Sequence, residues 1–231
     1  MRVISYSLWG DAPVYTVGAI RNADLAKKYY PDWKCIFYCF SSVPTHIVDQ
    51  LEQRDNCIVR MVDGQGDRSS AVERFFPMEE DGVDYVICRD TDSRISPREV
   101  YAVNSWMEQG TDIHIMRDHP YHGVFIPAGM WGAKTGKMNG ISKAAKEFVS
   151  NYPPSYKFQD QDFLTSWVWA RIKQESLSVT VHDPFFSNSP FPDSCTRGLG
   201  NDGVWFVGQV FDETDKYNSE NDVQVLMGEM K

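Results

Sequence analysis

Along the first half of the chain, apolar residues come in short bursts separated by stretches where they recur every three or four positions. Val3 to Leu8 is a brief apolar run ended by Gly10-Asp11 and predicts a strand. Ala19, Ala23, Ala26 and Tyr30 follow at helical spacing, on a helix that Pro31-Asp32 stops. Cys35 to Phe40 is a second strand, and a helix opening at Pro44 carries Ile47, Val48 and Leu51 on one face. Cys57 to Val62 is a third strand, followed by the polar loop Asp63-Gly64-Gln65-Gly66-Asp67. A short helix around Ala71 to Phe76 ends before Pro77, and Tyr85 to Cys88 is a fourth strand. Val100, Val103 and Met107 mark another amphipathic helix, and Ile113 to Met116 a further strand.

Strands alternating with helices imply right-handed βαβ units and an α/β fold with a mostly parallel central sheet flanked by helices. The second half is less regular. Ala128 to Lys134 is punctuated by glycine, Leu164, Val168 and Ile172 mark a helix opening at Asp160, and Val179 to Val181 is a strand candidate. After about Pro184 the chain reads as loop. No repeat or linker divides it. The expectation is one domain over 1–231, with 1–110 as one half and 111–231 as an elaboration that receives something. Whether the chain is a whole protein or one module of a longer one stays open.

Composition narrows the function classes. The 231 residues are 42% hydrophobic and 24% charged, enough for a core, and the net charge of -9 gives no general attraction for nucleic acid or an anionic membrane. An anionic ligand would need a local device, a metal or a few placed arginines. No run approaches a membrane span and no signal peptide is visible. The five cysteines, Cys35, Cys39, Cys57, Cys88 and Cys195, contain no CxxC pair. Cys35, Cys57 and Cys88 read as buried, reduced small hydrophobes, which suggests a cytoplasmic setting.

The most informative stretch is Asp84-Tyr-Val-Ile-Cys-Arg-Asp-Thr-Asp-Ser-Arg94, an apolar strand that runs into Asp90 and Asp92. Ligands of open α/β sheets bind beyond the carboxyl ends of strands. Two aspartates one residue apart can turn their oxygens to one hard cation, Mn²⁺ or Mg²⁺, shared with a diphosphate. The plain alternative is a polar turn or cap before Ile95; the strand context favours the metal. Asp160-Gln161-Asp162 opens a helix, where first-turn acids also serve its electrostatics. His182 ends a β-rich run and is either a third ligand or a strand-end histidine bonded to backbone. Arg74 reads as an anion-binding fork or a surface partner of Glu73 or Glu79. Trp9 is as readily core as ligand contact. Gly129-Met130-Trp131-Gly132 allows close backbone approach, or is a plain turn. His119 and His122 line a pocket or sit in an exposed loop.

Ser7-Leu-Trp-Gly-Asp11, Tyr29-Tyr-Pro-Asp-Trp33, Arg74-Phe-Phe-Pro77, Arg89-Asp-Thr-Asp-Ser-Arg94, Ile115-Met-Arg-Asp-His-Pro120 and Gly129-Met-Trp-Gly132 are together similar to the small glycosyltransferases of large DNA viruses that infect chlorella-like algae. That resemblance covers most of the chain and implies a GT-A-like fold, a nucleoside-diphosphate sugar donor (usually a UDP-sugar), Mn²⁺ or Mg²⁺, a glycan acceptor, and the cytoplasm of a host cell if viral. It implies a cation held by Asp90, Asp92 and His182, and a donor contacted by Ser7, Leu8, Trp9, Asp63, Arg68, Asp90, Gly129 and Met130. Arg74 would reach the donor, and Asp160, Gln161 and Asp162 resemble the Asp-Gln-Asp motif of retaining enzymes. That motif continues with Asn, where this chain has Thr165. An inverting enzyme would need a general base, for which Asp162 or Asp118 stands available. The alternatives are a non-catalytic nucleotide-sugar or glycan binder, and a haloacid-dehalogenase-type phosphohydrolase. The latter carries its DxD on the first strand, whereas three strands precede Asp90 here.

Overall fold

The structure, a computed structural model, describes residues 1–192, 196–217 and 219–229. Seven strands form one sheet: β1 (Arg2–Leu8), β2 (Trp33–Phe40), β3 (Cys57–Val62), β4 (Tyr85–Cys88), β5 (Ile113–Met116), β6 (Trp131–Lys134) and β7 (Val179–His182). Their order is β3-β2-β1-β4-β6-β5-β7. β1 pairs in parallel with both β2 and β4, so the chain runs outward from β1 to β3 and returns to β1's other side. That reversal is the switch point at which such sheets bind ligands.

Alternation along β1 explains the layering. Ile4, Tyr6 and Leu8 face one side, against α1 (Pro13–Tyr29), α2 (Thr45–Glu52) and α3 (Pro97–Gln109). Val3 joins the other core, which includes Phe75, Phe76 and Trp131, with α4 (Ile141–Val149) and α5 (Gln159–Phe163). On α1 the buried stripe is small (Gly18, Ala19, Ala23, Ala26), so the helix lies close to the sheet.

Several elements differ from expectation. α1 begins at Pro13, six residues ahead of the first periodic alanine, because proline is favoured in a first helical turn. The segment Arg68–Glu79 is a 3₁₀ helix that continues through Pro77. Trp131–Lys134 forms β6, antiparallel to both β4 and β5, so the sheet is mixed at that point. α4 carried no assignment from the pattern. The helix opening near Asp160 runs as α5, one π-helical turn (Leu164–Val168) and α6 (Trp169–Gln174). Beyond Pro184 the described chain is largely irregular but includes α7 (Glu220–Glu229). Cys57 is only half-buried, since β3 is an edge strand; Cys35, Cys39 and Cys88 are buried, and all four are unpaired. Cys195 lies outside the described residues. Among the described residues, no helix is long and apolar enough to cross a membrane.

Candidate active site

At the switch point, the carboxyl ends of β1 and β4 open into a cleft of about 330 Å³. From β1 and its exit come Ser7, Leu8 and Trp9; Arg68 and Arg74 come from the 3₁₀ segment, and Asp90 and Asp92 from the turn after β4. Lys157 and Asp160 close the far wall around the start of α5, and Gly208 and Val210 come from the irregular tail. Three carboxylates and three cations therefore share one opening.

Arg74 organises it. Its guanidinium, 6% exposed, pairs with Asp90 Oδ1 through Nη1 and with Asp160 Oδ2 through Nη2, the latter at 2.7 Å. Burial works against its charge, but the two carboxylates outweigh burial and hold it firmly protonated. Burial raises the Asp160 carboxyl, Arg74 opposes that, and Asp90 adds to the rise. Among the described residues, Asp92 has no such partner. Burial first, then the neighbouring Asp90 charge, push it up to about 6. Arg68 and Lys157 are exposed and neither hydrogen-bonds nor ion-pairs with any described residue, which leaves both free for an anionic ligand.

The walls are fixed by bonds that explain individual residues. Ser7 Oγ accepts from the Arg74 amide at 3.0 Å and donates to the Ala71 carbonyl at 3.4 Å, so it ties β1 to the 3₁₀ segment. Asp67 caps that segment, accepting from Ser69 N at 2.7 Å. Gly129 lies against Asp90: a Cβ there would be 1.9 Å from Asp90 Oδ2. Gln161 holds the approach to Gly129, donating to the Ile126 carbonyl at 2.7 Å and accepting from Ala128 N at 3.2 Å. Met130 is buried with Met116, Phe191 and Val207 rather than in the cleft.

Other candidates lie elsewhere. Asp63 lines a separate pocket with Lys146 and Tyr152. Asp162 does not line the cleft and accepts from the Tyr156 hydroxyl at 2.6 Å. Asp118 is fully buried, held by Arg98 in two bonds of 2.7 and 2.8 Å, by Arg197 at 2.6 Å and by Val207 N at 2.9 Å. Such a saturated carboxylate ties the tail to the sheet and has no capacity left for a base. His182 does not line the cleft with Asp90 and Asp92: its Nδ1 meets His114 Nε2 at 2.8 Å, it packs on Phe191, and burial drops it to about 4. His119 is buried and bonded to the Asp222 carbonyl, and His122 accepts from Asp118 N. Tyr15, Lys157, Gly208 and Val210 had no part in the sequence reading. Nothing in the pattern foretells that residues beyond 200 fold back over residues 90–93.

The chemistry of the donor set bears on a cation. Among the described residues no group of three or more His, Cys, Asp or Glu is placed to hold one. Two carboxylates side by side, of which only Asp90 is ion-paired with Arg74, suit a hard divalent ion that takes its remaining ligands from phosphate and water, the habit of Mg²⁺ and Mn²⁺.

No protein-family model matches the sequence, and no curated protein matches it. Solved structures do. S. aureus TarS 1–349 superposes with a TM-score of 0.51 at 12% identity, over 82% of this chain and 58% of that one. The mannosyltransferase PcManGT from Pyrobaculum calidifontis, in complex with GDP-Man and Mn²⁺, gives 0.50 at 11% identity, over 80% of this chain and 55% of that one. At such identity the likeness shows the fold alone: the chain has the GT-A-like α/β architecture. Two further structures superpose with a TM-score of 0.49 at 14% identity. One is a glycosyltransferase involved in glycosylation of the major capsid of PBCV-1 (79% of this chain, 81% of that one); the other is 4-diphosphocytidyl-2C-methyl-D-erythritol synthase from Anaerococcus prevotii (81% and 89%).

Proposed function

We propose that the protein is a metal-dependent glycosyltransferase that moves a sugar from a nucleoside-diphosphate sugar, a UDP-sugar on the sequence resemblance, to a hydroxyl of a glycan acceptor. The observation that carries this reading is Arg74, buried and charged between Asp90 and Asp160 beside the unpaired Asp92, at the sheet's switch point. Asp90 and Asp92 would hold Mn²⁺ or Mg²⁺. When bound, that ion would neutralise diphosphate charge.

The chain's own groups supply the rest. Arg68 and Lys157, free at the lip, attract the donor phosphates. Arg74 pairs with Asp90 and presents fixed positive charge where the leaving diphosphate gains negative charge. Asp160, held by Arg74, faces the cleft and supports the electron-poor anomeric centre. Gln161 braces the segment that keeps Gly129 against Asp90. Transfer with retention is supported by the positions of Asp162 and Asp118, the two candidate bases for inversion, since neither lines the cleft. The first half of the chain, 1–110, then supplies the nucleotide side and 111–231 the sugar and acceptor side. The unpaired cysteines support a reducing, cytoplasmic setting.

The test is product analysis with a panel of UDP- and GDP-sugars, with Mn²⁺ or EDTA, with and without simple glycosides. The expected result is Mn²⁺-dependent release of nucleoside diphosphate, absent in Asp92→Ala. Mn²⁺-dependent binding without any release would make the protein a binder. Release of pyrophosphate from nucleoside triphosphates would move it to nucleotidyl transfer.

A further inference from the structure

The two aspartates project from a four-residue turn whose shape decides where their oxygens point. Its four carbonyls all accept hydrogen bonds. The Asp90 carbonyl accepts from Ser93 Oγ at 2.9 Å, and the Asp92 carbonyl from Phe211 N at 2.8 Å. The carbonyls of Thr91 and Ser93 each accept from Asn22 Nδ2 on α1, at 3.1 and 2.8 Å, and from Arg94 Nη1, at 3.3 and 2.9 Å. The same side chain's Oδ1 accepts from Ile95 N at 3.1 Å, so one amide, 1% exposed, answers three backbone groups of the turn and its exit. One helical turn earlier, Gly18 makes room: a Cβ there would be 2.0 Å from the Thr91 oxygen. Glycine and asparagine are poor helix formers inside an otherwise alanine-rich stripe, so their presence answers to the turn they touch.

We infer that α1 builds the cation site, with Gly18 and Asn22 as positioning residues that pin the Thr91 and Ser93 carbonyls inward and thereby turn Asp90 and Asp92 together into the cleft. This rests on the reading of Asp90 and Asp92 as cation ligands. With the carbonyls from 90 to 93 all hydrogen-bonded within the protein, the carboxylates of Asp90 and Asp92 are the charged ligands the turn offers an ion.

The experiment is Mn²⁺ affinity, read from the electron paramagnetic resonance signal of free Mn²⁺ at fixed UDP, for wild type, Asn22→Ala and Gly18→Ala. Asn56→Ala is the control. Asn56 is buried and also tethers α1, donating to the Ala23 carbonyl at 2.8 Å, but away from the cleft. Melting curves accompany each titration. Asn22→Ala and Gly18→Ala are expected to bind Mn²⁺ at least tenfold more weakly while folded, and Asn56→Ala to lower the melting temperature with affinity within twofold of wild type. Should Asn22→Ala not fold, Gly18→Ala carries the test, since alanine itself favours the helix. Wild-type affinity in both α1 variants, or an equal loss in Asn56→Ala, would overturn the inference. Absence of Mn²⁺ binding by wild type would instead remove the cation reading beneath it.

Discussion

Replacing Asp92 by asparagine should stabilise the metal-free protein, and only above a definite pH. The Asp92 carboxyl is raised from an ordinary 3.8 to about 6 by burial and by Asp90. Two pH units correspond to roughly 3 kcal/mol of disfavoured charge at neutral pH. Because the side chain is partly exposed, solvent screening reduces this to about 1–2 kcal/mol. The sign follows from linkage. A group whose folded pKa is raised stabilises the fold fully below its unfolded value and loses that contribution as pH rises through the folded value. Wild type should therefore match Asp92→Asn near pH 4 and fall behind it between pH 4 and 6. The gap should then hold constant to pH 7.5. For a chain of this size the plateau corresponds to a melting difference of about 2–8 °C. The assay is thermal unfolding in EDTA from pH 4 to 7.5. Saturating Mn²⁺ should reverse the order, since at a hundredfold excess over Kd a bound ion adds about 2.7 kcal/mol to wild type. A variant no more stable than wild type at pH 7.5 in EDTA, or a gap that does not change with pH, would refute the reasoning.

Gly129→Ala should leave the fold intact and weaken Mn²⁺–UDP binding at least tenfold, because its Cβ would displace the Asp90 carboxylate; calorimetry checks it. His182→Ala should leave Mn²⁺ affinity unchanged, as His182 pairs with His114; a tenfold loss would place it back among the ligands. Asp118→Asn should cost about 3–5 kcal/mol in denaturant unfolding, since it removes the buried carboxylate charge that pairs with Arg98 and Arg197.

How far the sequence foretold this molecule can be argued element by element. β1 to β5 were legible because each is a short apolar run between turn residues. β6 was not: Trp131-Gly-Ala-Lys134 lacks a β-branched residue, and its antiparallel pairing is a tertiary choice that no local pattern records. Pro77 looked like a stop because proline breaks α-helices, yet a 3₁₀ segment passes through it. Within the candidate site, Asp90 and Asp92 stood out by their place after a strand, and the structure brings them beside Ser7, Arg74 and Asp160. Asp63 was expected as a donor contact and His182 as a metal ligand, but β3 and β7, the strands they follow or end, lie at the two edges of the sheet. Gly18 and Asn22 did leave a signal, two poor helix formers at helical spacing in an alanine stripe, which a reading of apolar periodicity passes over.

The central claim is that the cleft between Arg74, Asp90, Asp92 and Asp160 binds a nucleoside-diphosphate sugar through a divalent cation. The most direct measurement is calorimetric titration of UDP-sugars and GDP-mannose into wild type and Asp92→Ala, each with Mn²⁺ and with EDTA. Saturable binding of at least one donor by wild type with Mn²⁺ is expected, weakened at least tenfold by EDTA or by the substitution. Binding as tight in EDTA as in Mn²⁺, or no binding of any donor, would contradict it.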